Sequence, residues 1–121
     1  MPEVYFVTEI SRSFSGGEVR LVRMPEDKAK EKHALWVKMN ELESVIDESN
    51  TELTKLRGNV NKKWTAAEEK RAGELGAAIY QSSRELEELR YKYSRISGTP
   101  IMKKGPGREY KVGAILSELK D

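Results

Sequence analysis

Two heptad runs constrain this chain more than any other feature. Leu35, Met39, Leu42, Ile46, Ser49, Leu53, Leu56 and Val60 step by four, three, four, three, four, three and four residues. Ala72, Leu75, Ile79, Ser82, Leu86, Leu89, Tyr93 and Ile96 repeat the rhythm. Such spacing keeps a narrow apolar stripe on one side of a helix and suits a second helix laid along it. Gly58-Asn59 offers a stop signal between the runs. Thr65-Ala-Ala-Glu68 has the form of a capping box that starts a new helix. The linker Gly58–Trp64 is short, so the helices fold back on each other. The expected element is an antiparallel two-helix coiled-coil hairpin over about 26–57 and 65–97. Each helix has roughly 30 residues and a length of about 45 Å.

The pattern also predicts a register. Pairing residues whose numbers sum to 128 sets an a position against a d position throughout, as in Met39 with Leu89, Leu42 with Leu86 and Leu53 with Leu75. Two middle layers are then half polar, Ile46 with Ser82 and Ser49 with Ile79. A polar seam residue serves as a register device or marks a close approach of another chain.

The flanks of the hairpin change period. Glu3–Ile10 and Glu18–Met24 are rich in Val, Ile, Tyr and Thr and are joined by the turn-forming Ser11–Gly17 segment, which predicts a β-hairpin over 1–25. Pro25 closes it, and Glu26-Asp27 suit the first turn of a helix. At the other end, Thr99–Lys103, a Gly-Pro-Gly turn and Glu109–Val112 predict a second hairpin. Val112, Ile115, Leu116 and Leu119 lie at helical spacing and predict a short final helix, with strand continuation through Leu116 as the alternative. The fold class is therefore α+β: a long helical hairpin on a small antiparallel β base formed by N- and C-terminal hairpins. The chain of 121 residues is read as a single domain, 1–25, 26–97 and 98–121 being its parts.

Composition narrows function mainly by exclusion. There is no cysteine, hence no disulfide framework and no thiolate metal site. No apolar run approaches the length of a membrane span, and the N-terminus lacks a signal-peptide layout, so a cytoplasmic protein is expected. The single histidine, His33, reads as a solvated or partner-facing side chain rather than a base or ligand. Acidic pairs such as Asp47/Glu48 and Glu87/Glu88 fall on outer helix positions. No nucleotide-binding or hydrolase motif is present. No catalysis, metal or cofactor is expected.

Charge is uneven. Residues 26–89 carry 11 Lys/Arg and 14 Asp/Glu, and the two flanks together carry 11 Lys/Arg and 6 Asp/Glu. A basic β pole results if the chain ends meet. Its candidate anion- or partner-binding residues are Arg12 in the first turn, Arg90, Lys92 and Arg95 late in the second helix, and Lys103, Lys104 and Arg108 around Gly-Pro-Gly. Glycine-rich backbone with Lys and Arg is what phosphate oxygens require. Lys62, Lys63 and Trp64 make a smaller basic-aromatic spot between the helices.

Gly73 and Gly76 interrupt a helix at about 1 kcal/mol each. With Ala72 and Ala77 they form a strip of small residues that lets another backbone approach, and Trp36, Val45 and Tyr80 lie outside the seam. These features predict a homo-oligomer, a dimer in the simplest case, acting by protein–protein contact as an inhibitor, adaptor or assembly factor. The alternative is a binding module for an anionic ligand, nucleic acid or a small nucleotide, at the basic pole.

Overall fold

A computed structural model describes residues 2–11, 17–58, 63–104 and 110–119. The elements run β1 (Glu3–Ser11), β2 (Glu18–Pro25), α1 (Glu26–Arg57), α2 (Ala66–Arg95), β3 (Thr99–Lys104) and β4 (Ile115–Leu116). The helical hairpin and the first β-hairpin thus form within a residue or two of their expected bounds. Contacts group the chain into two compact units, Met1–Val37 with Lys92–Asp121, and Lys38–Tyr91.

The first unit holds a four-stranded antiparallel sheet in the order β3-β2-β1-β4. Between Val7 and Glu9 the β1–β2 register shifts, leaving Thr8 without an opposite residue. A one-residue bulge reverses the alternation of faces. Before it, Val4 and Phe6 join Met24 and Ala29 in one buried cluster, which takes in Val22, Trp36, Tyr93 and Ile96. Val7 and, after the bulge, Ile10 both belong to the cluster on the other face, with Val19, Leu21 and Tyr110.

The C-terminal segment departs from expectation. Among the described residues, Thr99–Lys104 does not pair with those after Gly-Pro-Gly. It pairs with β2, from Thr99 opposite Arg23 to Lys104 opposite Glu18. The rest crosses to the far edge, where Gly113 N–H donates to Val7 O at 2.8 Å and Val7 N–H to Ala114 O at 3.0 Å. No final helix forms among the described residues. Ile115 packs in the Phe6 cluster and its neighbour Leu116 in the Val7 cluster. Consecutive residues buried on opposite faces need a strand, and Gly113 at φ +86° breaks the helical run before them. The apparent helical spacing was two apolar residues serving two cores. Gly98 has its own constraint: a Cβ there would run into Arg23 O and the Val22 side chain, so only glycine lets the chain leave α2 this close to β2.

The second unit is the helical hairpin, Lys38–Tyr91. Every described seam position in it is buried or half-buried, while most residues between are exposed. The ion pairs Lys38–Glu85 and Glu52–Arg71 link positions whose numbers sum to 123, and Glu43–Arg90 links a pair summing to 133. These are the two flanks of a seam centred on 128, which fixes the register. Ser49 and Ser82 are buried in its middle layers. The capping box is made in full: Glu68 N–H donates to Thr65 Oγ1 at 3.1 Å, and Thr65 N–H to Glu68 Oε1 at 3.2 Å.

Candidate functional site

The residues proposed for one basic pole fall in different places. Lys103 and Lys104 end β3, opposite Val19 and Glu18 on β2; Glu18 is in turn opposite Ser11, the residue that precedes Arg12. Lys92 and Arg95 lie in the last turn of α2, which leads into the opposite end of β3. Five residues of strand, about 16 Å, separate the two ends of β3. Arg90 is drawn into the helical hairpin, where its Nη2 donates to Glu43 Oε1 at 3.2 Å. Arg12, Arg108 and Lys62 lie outside the described residues. Within the first unit the structure therefore groups Lys103 with Lys104 and sets Lys92 and Arg95 apart from them.

At the β3 end, the Lys103 ammonium lies 5.8 Å from the centre of the buried Tyr110 ring, and Lys104 is exposed. Neighbouring arginines are matched by carboxylates: Arg20 meets Glu9 at 3.8 Å, and Arg23 meets Glu3 at 3.0 Å. Met102, between Ile101 and Lys103, is 61% exposed. It helps line a shallow groove with Thr8, Arg20, Val22 and Pro100.

Trp64 is half-buried, and its indole N–H donates to Leu56 O at 2.9 Å. That carbonyl belongs to the last turn of α1, where helix acceptors lack intrahelical donors. Trp64 thus caps α1, while Lys63 beside it is exposed.

On α2, Gly73, Gly76 and Ala77 are exposed and Ala72 is half-buried in the seam. A Cβ at Gly73 or at Gly76 would meet nothing within 4 Å. One turn further, Tyr80 is 63% exposed with the Arg84 guanidinium 5.7 Å from its ring centre. Val45 on α1 is 40% exposed. Trp36 does not belong with these residues: it is half-buried in the first unit, stacked on His33 and pressed against Gly113.

His33 is likewise not a solvated side chain. Its Nδ1 lies 2.6 Å from Gly113 O, and because a carbonyl only accepts, Nδ1 carries the proton. The buried polar residue that the sequence reading missed is Lys32. Its Nζ donates to Ile96 O at 2.7 Å and lies 4.3 Å from the Tyr93 ring centre. A signal for it existed: position 32 continues the seam one heptad before Met39, and its partner under the 128 rule is Ile96. Among the described residues, no group of three or more His, Cys, Asp or Glu side chains is placed to hold a metal ion. No described helix is long and apolar enough to cross a membrane.

No protein-family model matches the chain, and neither the curated proteins nor the solved structures contain a match.

Proposed function

We propose that this chain is a non-catalytic protein-interaction module that works as a homo-oligomer, a dimer in the simplest case, in the cytoplasm. The observation that supports this reading is the outer face of α2. Gly73 and Gly76 sacrifice helix stability where, among the described residues, nothing lies within 4 Å of an added Cβ. Ala77 and Tyr80 extend the same stripe, Tyr80 largely exposed. Two such faces in contact bring helix backbones close and cover the tyrosines. Six titratable side chains on the hairpin's flanks, Lys38, Glu43, Glu52, Arg71, Glu85 and Arg90, are engaged with one another, which favours a supporting role for them over a reactive one.

Sedimentation equilibrium at micromolar concentration tests the reading. The expected mass is twice 13.8 kDa. A parent chain that sediments as a 13.8 kDa monomer across this range overturns it.

The alternative, an anion-binding β end, rests among the described residues on Lys103 and Lys104. Steep salt dependence of oligonucleotide binding, lost on neutralising those two lysines, would favour it.

A further inference from the structure

A sheet of four strands has two edges, and here they differ. β4 is two residues long, whereas β3 presents six. One side of β3 is hydrogen-bonded to β2; among the described residues no backbone bond reaches it from the other side. We propose that this free edge is a docking site for an extended acidic segment of a partner protein, which adds as a fifth strand beside β3.

Natural edges are blunted by brevity, proline and charge. Pro100 blunts only the start of β3; beyond it, over Ile101–Lys104, alternate residues turn their N–H groups away from β2. Met102 in the middle of the edge is 61% exposed, the opposite of a protective device. The groove lined by Thr8, Arg20, Val22, Pro100 and Met102 adjoins the edge and offers room for a long side chain of the incoming strand. Strand addition draws affinity from main-chain bonds and specificity from such side-chain sites.

Charge selects the occupant. β3 carries two lysines and no carboxylate. Lys103 has Val19 as its inside neighbour, and Lys104 has Glu18. Arg20 and Arg23 on β2 are already matched by Glu9 and Glu3. Lys103 therefore has no carboxylate opposite it, and β3 supplies none of its own. A second copy of β3 brings two more lysines and no carboxylate, so it offers no charge complement. An incoming strand with glutamates at alternate positions presents them all on one face, where they meet Lys103, the lysine with no carboxylate opposite it. This site lies apart from the α2 face, so a monomeric Gly76→Leu chain should retain it; failure of self-association and failure of docking are separate results.

The test uses the full chain and a synthetic hexapeptide of alternating Glu and Val, with its Lys/Val counterpart and an oligothymidine as controls. Amide hydrogen exchange is followed residue by residue. The acidic peptide is expected to bind saturably and to slow exchange at outward-facing amides of Ile101–Lys104 by about tenfold or more, consistent with new strand hydrogen bonds. Binding should weaken as salt is raised. The double variant Lys103→Gln with Lys104→Gln should lose binding while the chain stays folded by circular dichroism; Met102→Ser, which removes the apolar side chain from the groove, is a second variant that should weaken it. The proposal is overturned by any of four results: no saturation at millimolar peptide, protection elsewhere than β3, protection by the oligothymidine in place of the peptide, or protection that appears on raising the protein concentration alone.

Discussion

At the scale of the residue, Lys32 shows how a charge is held inside a small core. It is 6% exposed, and removing an ammonium from water is costly unless it is matched. Here the match is the Ile96 carbonyl and the faces of Tyr93 and Phe6, 4.3 and 5.6 Å away. Replacing it, Lys32→Met, keeps most of the buried stem but leaves that carbonyl without its donor. The expected loss is about 1–3 kcal/mol in urea melts, and an unchanged midpoint would contradict it. Burial also acts on the partners in opposite directions, lowering the Lys32 pKa and raising that of Tyr93. A phenol whose folded pKa is raised favours the folded state below the ordinary tyrosine range, and this contribution is lost as pH climbs through the raised value. Subtracting the alkaline absorbance titration of Tyr93→Phe from that of the parent should therefore isolate a step above pH of about 10. A step at or below that value would show the ring to be solvated. Glycines make a similar contrast. Gly98→Ala forces a Cβ onto the Arg23 carbonyl and should be strongly destabilising. Gly76→Ala fills open space and should stabilise the helix by about 1 kcal/mol. Melts in which the two changes have the same sign would refute this.

At the scale of the element, legibility followed locality. The capping box, the two heptad runs and the first hairpin depend on residues close in sequence, and each formed where the pattern placed it. Even the register was readable, because the seam and its flanking ion pairs depend on one spacing rule. What the sequence concealed is competition between distant partners. The residues after Gly-Pro-Gly have nothing local to show that β1, a hundred residues earlier, offers an edge and two apolar faces. Gly113 and Ala114 bond there, and the segment becomes a strand in place of a hairpin arm and a helix. Charge counts likewise could not show where the basic residues sit: strand pairing sets Lys103 and Lys104 at the end of β3 away from Lys92 and Arg95. The seam itself yields two measurements. Leu86→Ala removes a buried leucine and should cost about 2–5 kcal/mol, whereas Ser82→Ala should cost far less. Equal losses would mean that the seam is misplaced. Glu52 accepts two bonds from Arg71 at 2.8 Å, and this hydrogen bonding, with the guanidinium charge, lowers its pKa. A lowered carboxylate pKa adds stability above the ordinary glutamate range that is lost as pH falls through the lowered value. The acid limb of the stability profile should be shallower in Glu52→Gln than in the parent.

At the scale of the whole molecule, the two compact units differ in charge. Met1–Val37 with Lys92–Asp121 carries 13 Lys/Arg and 9 Asp/Glu, and Lys38–Tyr91 carries 9 and 11. Salt therefore separates the two kinds of contact proposed. Docking of an acidic strand at Lys103 and Lys104 draws on opposite charge and should weaken with ionic strength. Association through Gly73, Gly76, Ala77 and Tyr80 draws on close backbone approach and apolar burial, which salt leaves largely intact. Gly76→Leu places a branched side chain in the middle of that stripe. Position 76 is exposed and a Cβ there meets nothing within 4 Å among the described residues, so the fold of the isolated chain should survive. Between two copies the leucine holds the helices apart, and the dimer dissociation constant should rise by about tenfold or more, the loss of roughly 1.4 kcal/mol of contact. Sedimentation of parent and variant at low and high salt decides the matter. The expected result is a parent dimer at both salts and a variant shifted toward 13.8 kDa at both. A parent that dissociates on raising salt, or a variant that dimerises as the parent does, would move the interface away from α2.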